Sequence, residues 1–349
     1  MIGERAFRVQ QGPDLPAVEA IAEAHAAGYL PPVVLDDRLI GADGIDGLAP
    51  VDVDAAHIAQ LCDRRRLPRW VAAKNPLGGG FVKTKALMRQ ERLVTVCEEA
   101  ACPNIGRCWQ RGTATFMIAG SRCTRGCRFC NVATGRPFGP PDPDEPERVA
   151  DAAAAMGLRF VVVTAVARDD LPDGGAAHFA DTIAALRRRL PEAKVEVLIP
   201  DLRGSWDSLD AVIEAAPDVL NHNTETVPRL YSRVRPGARY ERTLELLARS
   251  AAAGLTTKSG IMVGLGETLP EVASVLGDLA SAGCGLVTIG QYLRPSPAHL
   301  PVARYYAPAE YPALSELGRD LGLAHVEAGP LVRSSFEADR VAEAALAPV

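Results

Sequence analysis

From residue 114 onward the chain alternates between short apolar, β-branched runs and longer stretches in which apolar residues return every three or four positions. Continuous apolar runs bounded by turn formers read as strands covered on both faces. Six stand out, at 115–119, 160–166, 195–199, 219–223, 256–263 and 286–292. Between them the periodicity predicts helices over 146–156, 178–190, 205–215, 240–253 and 269–282. Strands separated by helices imply parallel pairing through right-handed crossovers. The predicted class is therefore α/β, a partial (β/α)6 TIM-like barrel two units short of closure. In such barrels the loops after the strand C-termini carry the chemistry, and here those loops hold the polar clusters CTRGCRFC, ARDDLPDGG, HNTETV, GLGET and RPSPAHLPVARY.

The first 60 residues differ from the rest. An Ala-rich helical stretch over 15–28 is followed by a segment full of turn formers, and no chemistry can be assigned to it, so it reads as an appendage or packing arm. A basic piece around Trp70, then Gly78, Gly79 and Gly80, leads into a predicted helix at 83–90. The expected division is an N-terminal extension at 1–60, a cysteine-bearing segment at 61–113, the barrel at 114–305 and a C-terminal extension at 306–349.

Composition narrows the classes. With 349 residues and 48% hydrophobic content the chain has material for a sizeable core. Lys plus Arg total 38 against 43 Asp plus Glu, and a formal charge of −5 gives no support for a nucleic-acid or anionic-membrane partner. No run approaches the roughly 18 apolar residues a membrane span requires. No secretory or transit signal is visible at the N-terminus, which predicts a cytoplasmic, reducing location. Eight cysteines are there better explained as metal ligands or catalysts than as disulfides.

Six of the eight fall in one window: Cys97, Cys102, Cys108, Cys123, Cys127 and Cys130. Cys62 and Cys284 stand apart and read as non-ligands. Cys123, Cys127 and Cys130 form a CxxxCxxC triplet just beyond the first strand. Three thiolates from one tight loop hold three corners of a cubane 4Fe-4S cluster and leave the fourth iron open to a substrate or cofactor. Zinc is the alternative, but no nearby His completes a familiar zinc pattern. The second triplet, Cys97, Cys102 and Cys108, is spaced CxxxxCxxxxxC. One cluster cannot use six thiolates, so a second metal centre is the economical reading.

The CxxxCxxC loop, with Phe129 before its last cysteine, resembles the radical S-adenosylmethionine (SAM) superfamily. The segments VCEEAACPNIGRCW, TATFMIAGSRCTRGCRFCNV, VARDDLPDGGAAHF, NHNTETVPRLYSRVRPGARY, KSGIMVGLGET and GPLVRSSFEA together resemble the lipoyl synthase family over about residues 65–340, with residues 1–60 outside the likeness. The resemblance implies a barrel of the radical SAM type, SAM chelated by the open iron of the cluster on Cys123, Cys127 and Cys130, and reductive cleavage to a 5′-deoxyadenosyl radical. It implies a second 4Fe-4S cluster on Cys97, Cys102, Cys108 and a serine of the RSS segment. Ser335 is the expected ligand and Ser334 the alternative. The C-terminal extension then closes the auxiliary site, and that cluster donates two sulfur atoms to C6 and C8 of a protein-bound octanoyl chain. An oxygen ligand is a weak partner for iron in a sulfur-rich cluster, which suits a cluster that is consumed. Where the family usually shows Tyr after RSS, this chain has Phe336, which lacks the phenolic hydroxyl.

The implied partners are an octanoylated lipoyl carrier domain or glycine-cleavage H-type protein, a small iron-sulfur or flavin electron donor, and a cluster-repair carrier. Candidate SAM contacts are Phe129, Thr164, Asp170, Asn223, Glu225, Gly264 and Glu267. Asp170 follows the second strand, where it accepts hydrogen bonds from the cofactor, caps a helix N-terminus or pairs with a nearby Arg. Gly264 and Glu267 are carried over from the superfamily's GxIxGxxE segment. The rivals are a methylthiotransferase, a biotin-synthase-like enzyme and, from another class, a ferredoxin-like electron carrier.

Overall fold

The computed structural model describes residues 68–71 and 78–341; the expected helix at 15–28 and Cys62 lie outside them. Labels follow chain order: α1 (Gly79–Gln90), β1 (Val94–Thr95), α2 (Val96–Glu99), α3 (Ile105–Gln110), β2 (Thr115–Ile118), α4 (Glu145–Ala155), β3 (Phe160–Ala165), α5 (Ala176–Arg189) and β4 (Lys194–Leu198). They continue with α6 (Trp206–Glu214), β5 (Val219–Asn221), α7 (Tyr231–Val234), α8 (Tyr240–Ala252), β6 (Thr256–Val263), α9 (Leu269–Ser281), β7 (Leu286–Gln291), α10 (Glu310–Asp320) and β8 (His325–Gly329).

The strands form one sheet in the order β1 to β8, parallel from β2 onward, with β1 antiparallel to β2. The six expected strands are all present, each ending within two residues of its predicted limit. The sheet is larger than the predicted six units, because α10 and β8 extend it from within residues 306–349 and β1 adds a short edge. Side chains of β3, β5 and β7 meet: Phe160 packs on Val219, Leu286 and Val341, so the sheet curls into an open barrel around its inner face.

The outer face of the sheet is continuous apolar packing against the helices. Val161, Val163, Val195 and Val197 pack with Val149, Phe179, Ile183 and Leu209, all buried. Alanines at 150, 152 and 153 are fully buried, which allows α4 and α5 to approach closely. The entrance to α9 is fixed by a capping box, with Thr268 Oγ1 accepting from Glu271 N and Glu271 Oε2 accepting from Thr268 N at 2.8 Å. No described helix is long and apolar enough to cross a membrane.

The inner face is more polar. Lys258 Nζ of β6 lies 3.0 Å from both carboxylate oxygens of Glu196 of β4, with both side chains fully buried, and Asn221 Nδ2 adds a third bond at 2.9 Å. A buried pair gives little net stability, but removing one partner strands the other charge. Lys258→Ala is therefore expected to destabilise the chain by about 3–5 kcal/mol. Comparing urea unfolding midpoints of the variant and the wild type checks this.

Candidate functional site

Each thiol trio is set by local structure. Cys97 sits on α2, whose N-cap Thr95 accepts from Glu98 N. Cys102 follows at the α2–α3 turn, where its amide donates to the Cys97 carbonyl at 3.0 Å, and Cys108 lies on α3. The second trio occupies the loop after β2. Glu145, at the start of α4, accepts from the Ala119 amide at 2.8 Å and from His178 Nε2 at 2.7 Å, which pins the point where the loop leaves the strand. The amides of Arg125, within the loop, and of Ala167, just after β3, both donate to Cys123 Sγ at 3.4 Å. Arg125 is itself held by Asp169 and Asp201. His299 Nε2 donates to the Cys130 carbonyl at 3.0 Å and so braces the loop's far end.

Electrostatics fit a cluster. Burial pushes the Cys97 thiol up to about 12, with the charges of Cys102 and Cys108 adding to the rise. Burial likewise raises Cys108 to about 11 and Cys130 to about 12, the latter helped by Cys127 and Cys123. Thiols that feel one another's charge in this way become thiolates when metal cations share the site. Among the described residues no three His, Cys, Asp or Glu side chains converge on one ion-sized point. Cys284 is also buried and raised to about 12, and its thiol bonds to backbone oxygens of Leu286 and Thr257.

A cavity of about 880 Å³ runs through the barrel, and its walls carry Cys97, Cys102, Cys108, Cys130, Phe129, Asn223, Glu225, Ser334 and Ser335. Cys123 and Cys127, in the same loop as Cys130, are outside the lining. The 331–337 turn is drawn to α3 by Asn104 Nδ2, which donates to the Leu331 carbonyl at 2.6 Å, and by the Arg107–Glu337 ion pair at 2.5 Å. Phe336 fills the place of the family's Tyr, with the Arg107 guanidinium 5.2 Å from its ring centre. Glu225 is a non-glycine residue at φ 69°, held there by its amide to the Gly260 carbonyl at 2.8 Å. Burial raises its carboxyl pKa, and Arg235 beside it limits the rise.

Four expected SAM contacts lie outside the cavity lining. Thr164 donates its hydroxyl to the Leu198 carbonyl at 2.9 Å, a bond between β3 and β4. Asp170 takes two bonds from Arg168 at 2.9 Å, so the ion pair weighed for it is present, and Arg168 depresses its carboxyl pKa. Glu267 closes its own loop by accepting from the amides of Gly264 and Leu265 and from the Tyr306 hydroxyl. Gly264, at φ 101°, abuts Gln291 and the Arg304 carbonyl, where a β-carbon would overlap both. The sequence missed Asn104, Gly260 and Gly290. The two glycines interrupt apolar strands, which is the one signal that pointed to them.

His222 lies in the barrel wall rather than the cavity. Its Nδ1 donates to the Ile199 carbonyl at 2.8 Å and its Nε2 accepts from Thr243 Oγ1 at 3.2 Å, the pattern of a neutral ring. Burial, with Arg235 nearby, lowers its pKa to about 4. The unfolded imidazole protonates near 6.5, so below that pH the unfolded state binds a proton the native state refuses. Stability should fall by about 1.4 kcal/mol per pH unit as pH drops through that window. Urea midpoints at about pH 7 and pH 5 should drop more for the wild type than for His222→Asn.

Known proteins resemble this chain in sequence and in fold. Residues 117–279 match the model of the Radical SAM superfamily, and residues 34–102 match that of the N-terminal domain of lipoyl synthase of the Radical SAM family. The second match overturns the expectation that residues 1–60 stand wholly outside the likeness, since it begins at residue 34. The chain is 50% identical to the lipoyl synthase of Nitrosococcus oceani over 315 residues, covering 89% of this chain and 96% of that one. It is 55% identical to the lipoyl synthase of Symbiobacterium thermophilum over 287 residues, 82% of this chain and 89% of that one. Among solved structures, Streptococcus suis SuiB bound to precursor peptide SuiA superposes with a TM-score of 0.50 at 11% identity, covering 89% of this chain and 61% of that one, a likeness of fold alone. With the thiol spacings, the barrel and these relatives taken together, the chain belongs to the lipoyl synthase family of radical SAM enzymes.

Proposed function

We propose that the cavity is a reaction chamber in which an octanoyl chain, carried on a protein lysine, lies between two 4Fe-4S sites and receives sulfur at C6 and C8. Membership of the family brings SAM and 4Fe-4S binding and lipoyl synthase activity. The two-cluster arrangement, the ligand set and the carrier are the further reading. Cys123, Cys127 and Cys130 hold one cluster, and Cys97, Cys102, Cys108 and Ser335 hold the other. Ser335 is preferred because the Ser334 hydroxyl is already engaged by Asn223 at 2.9 Å. When bound, the first cluster with SAM supplies a radical able to remove hydrogen from an unactivated carbon, and the second supplies sulfide.

The chain's own residues do the rest. Phe129, Val132, Val162, Met262, Tyr292 and Leu293 give the cavity apolar wall for an alkyl chain and keep water from a radical centre. Asn223 and Glu225 add hydrogen-bonding groups on the wall near Cys130. Arg235, buried beside Asn223 and with its charge acting on Cys127, offsets negative charge at that end. Arg333 acts in the same way on Cys102.

The observation that supports this reading is that one cavity wall carries the Cys97, Cys102 and Cys108 trio together with Cys130. Anaerobic reconstitution should give about eight irons per chain. With SAM, a reductant and an octanoylated lipoyl domain or H-type protein, mass spectrometry of the carrier peptide should show the addition of two sulfurs as a dithiol, with two hydrogens lost only when an added oxidant closes the disulfide. A methylthio product, or transfer of a single sulfur as the end point, would favour the rival enzymes instead. A small iron-sulfur or flavin protein is the proposed electron donor, and a cluster carrier is needed to restore the auxiliary site between turnovers.

A further inference from the structure

Two glycines face the C-terminal turn from neighbouring strands. A β-carbon on Gly260 of β6 would lie 2.7 Å from Asn223 Oδ1 and 2.9 Å from Ser334 Oγ. One on Gly290 of β7 would overlap the Val332 carbonyl oxygen. Glycine inside a strand weakens it and marks a site where another segment must come close. The segment here is 332–334, which enters the barrel between these positions. Ser334 Oγ donates to Asn223 Oδ1 at 2.9 Å, and Asn223 Nδ2 donates to Glu225 Oε1 at 3.0 Å. Arg235 Nη1 holds the Asn223 carbonyl at 2.6 Å. On its other side the same turn is gripped by Asn104 and Arg107, which lie between Cys102 and Cys108 in the chain. Ser335 stands between the two clamps and, among the described residues, its hydroxyl bonds to neither.

We propose that Ser334 is a positioning residue for sulfur donation. Its bond to Asn223, in the slot left by Gly260 and Gly290, fixes the turn that presents Ser335 to Cys97, Cys102 and Cys108. The same bond ties that turn to the Asn223–Glu225 pair, on the wall shared with Cys130. The inference rests on the reading of Ser335 as the fourth ligand. Groups that orient a metal ligand without touching the metal commonly change metal affinity about 10- to 100-fold when removed.

The test uses the full chain with alanine at Cys123, Cys127 and Cys130, loaded with isotopically enriched iron so that Mössbauer spectra report the auxiliary site alone. Two quantities are read: the share of iron with an oxygen-ligand signature, and the rate at which EDTA extracts iron. Ser334→Ala should lose the signature and release iron about 10- to 100-fold faster. Ser334→Thr, which keeps the hydroxyl, should restore both. Gly260→Ala should behave like Ser334→Ala, because its methyl group lands on the bond. A Ser334→Ala protein with the parent spectrum and extraction rate, or a threonine variant no better than alanine, overturns the inference. Ser335→Ala separates the two levels. If it loses the signature while Ser334→Ala keeps it, only the positioning role fails; if Ser335→Ala keeps it, the ligand assignment is wrong and the inference falls with it.

Discussion

Replacing Cys127 by alanine should abolish formation of 5′-deoxyadenosine while leaving about four irons per chain on the auxiliary site. Cys127 is the middle thiol of the loop after β2. Its amide neighbour bonds, Cys130 N to the Cys127 carbonyl at 3.1 Å and Arg128 N to the Val234 carbonyl at 2.9 Å, belong to the backbone and survive the substitution. The loop therefore keeps its shape and loses one ligand. A cluster already left one ligand short by design cannot give up a second and still leave a defined open iron for SAM. The auxiliary trio sits on α2, α3 and the turn between them, which share no cysteine with that loop, so its iron should be retained. Iron analysis and chromatography of the nucleoside product check both halves, and retained cleavage would contradict the assignment of this triplet.

Cys102→Ala should have the opposite signature, with SAM still cleaved and no lipoyl product formed. Cys102 lines the cavity and is the thiol on which the Arg333 charge acts, close to the turn that carries Ser335. Without it the auxiliary site has at most two thiolates and a hydroxyl, too few to keep a four-iron cluster. Radical generation, assigned by the proposal to the other loop, should persist at a reduced, uncoupled level. The comparison to make is nucleoside released against sulfur transferred. Lipoyl product from this variant would remove the idea of a sacrificial auxiliary cluster.

The barrel was legible wherever strands were continuous apolar runs. FVVVTA at 160–165 and TFMI at 115–118 declare themselves because both faces are covered. HVEAG at 325–329 does not, since His325 and Glu327 break any apolar run; it is a strand because β7 offers a parallel edge to pair with. Two-residue β1 is too short to carry a pattern. The thiol trios were legible because their spacing is local. The clasp that joins them was not: Asn104 bonds to a carbonyl 227 residues away, and Ser334 to a side chain 111 residues away. Asp170 shows the converse limit. Its position after β3 suited a cofactor contact, and only the fold reveals that Arg168, two residues back, takes both its oxygens.

The most direct measurement follows the sulfur itself. The auxiliary cluster is rebuilt with isotopically heavy sulfide, free sulfide is removed, and one turnover is run on an octanoylated carrier with excess SAM in buffer containing light sulfide. The account predicts a lipoyl product in which both sulfurs are heavy, with Cys102→Ala giving none. A product carrying light sulfur would show that the sulfide does not come from the site built by Cys97, Cys102 and Cys108.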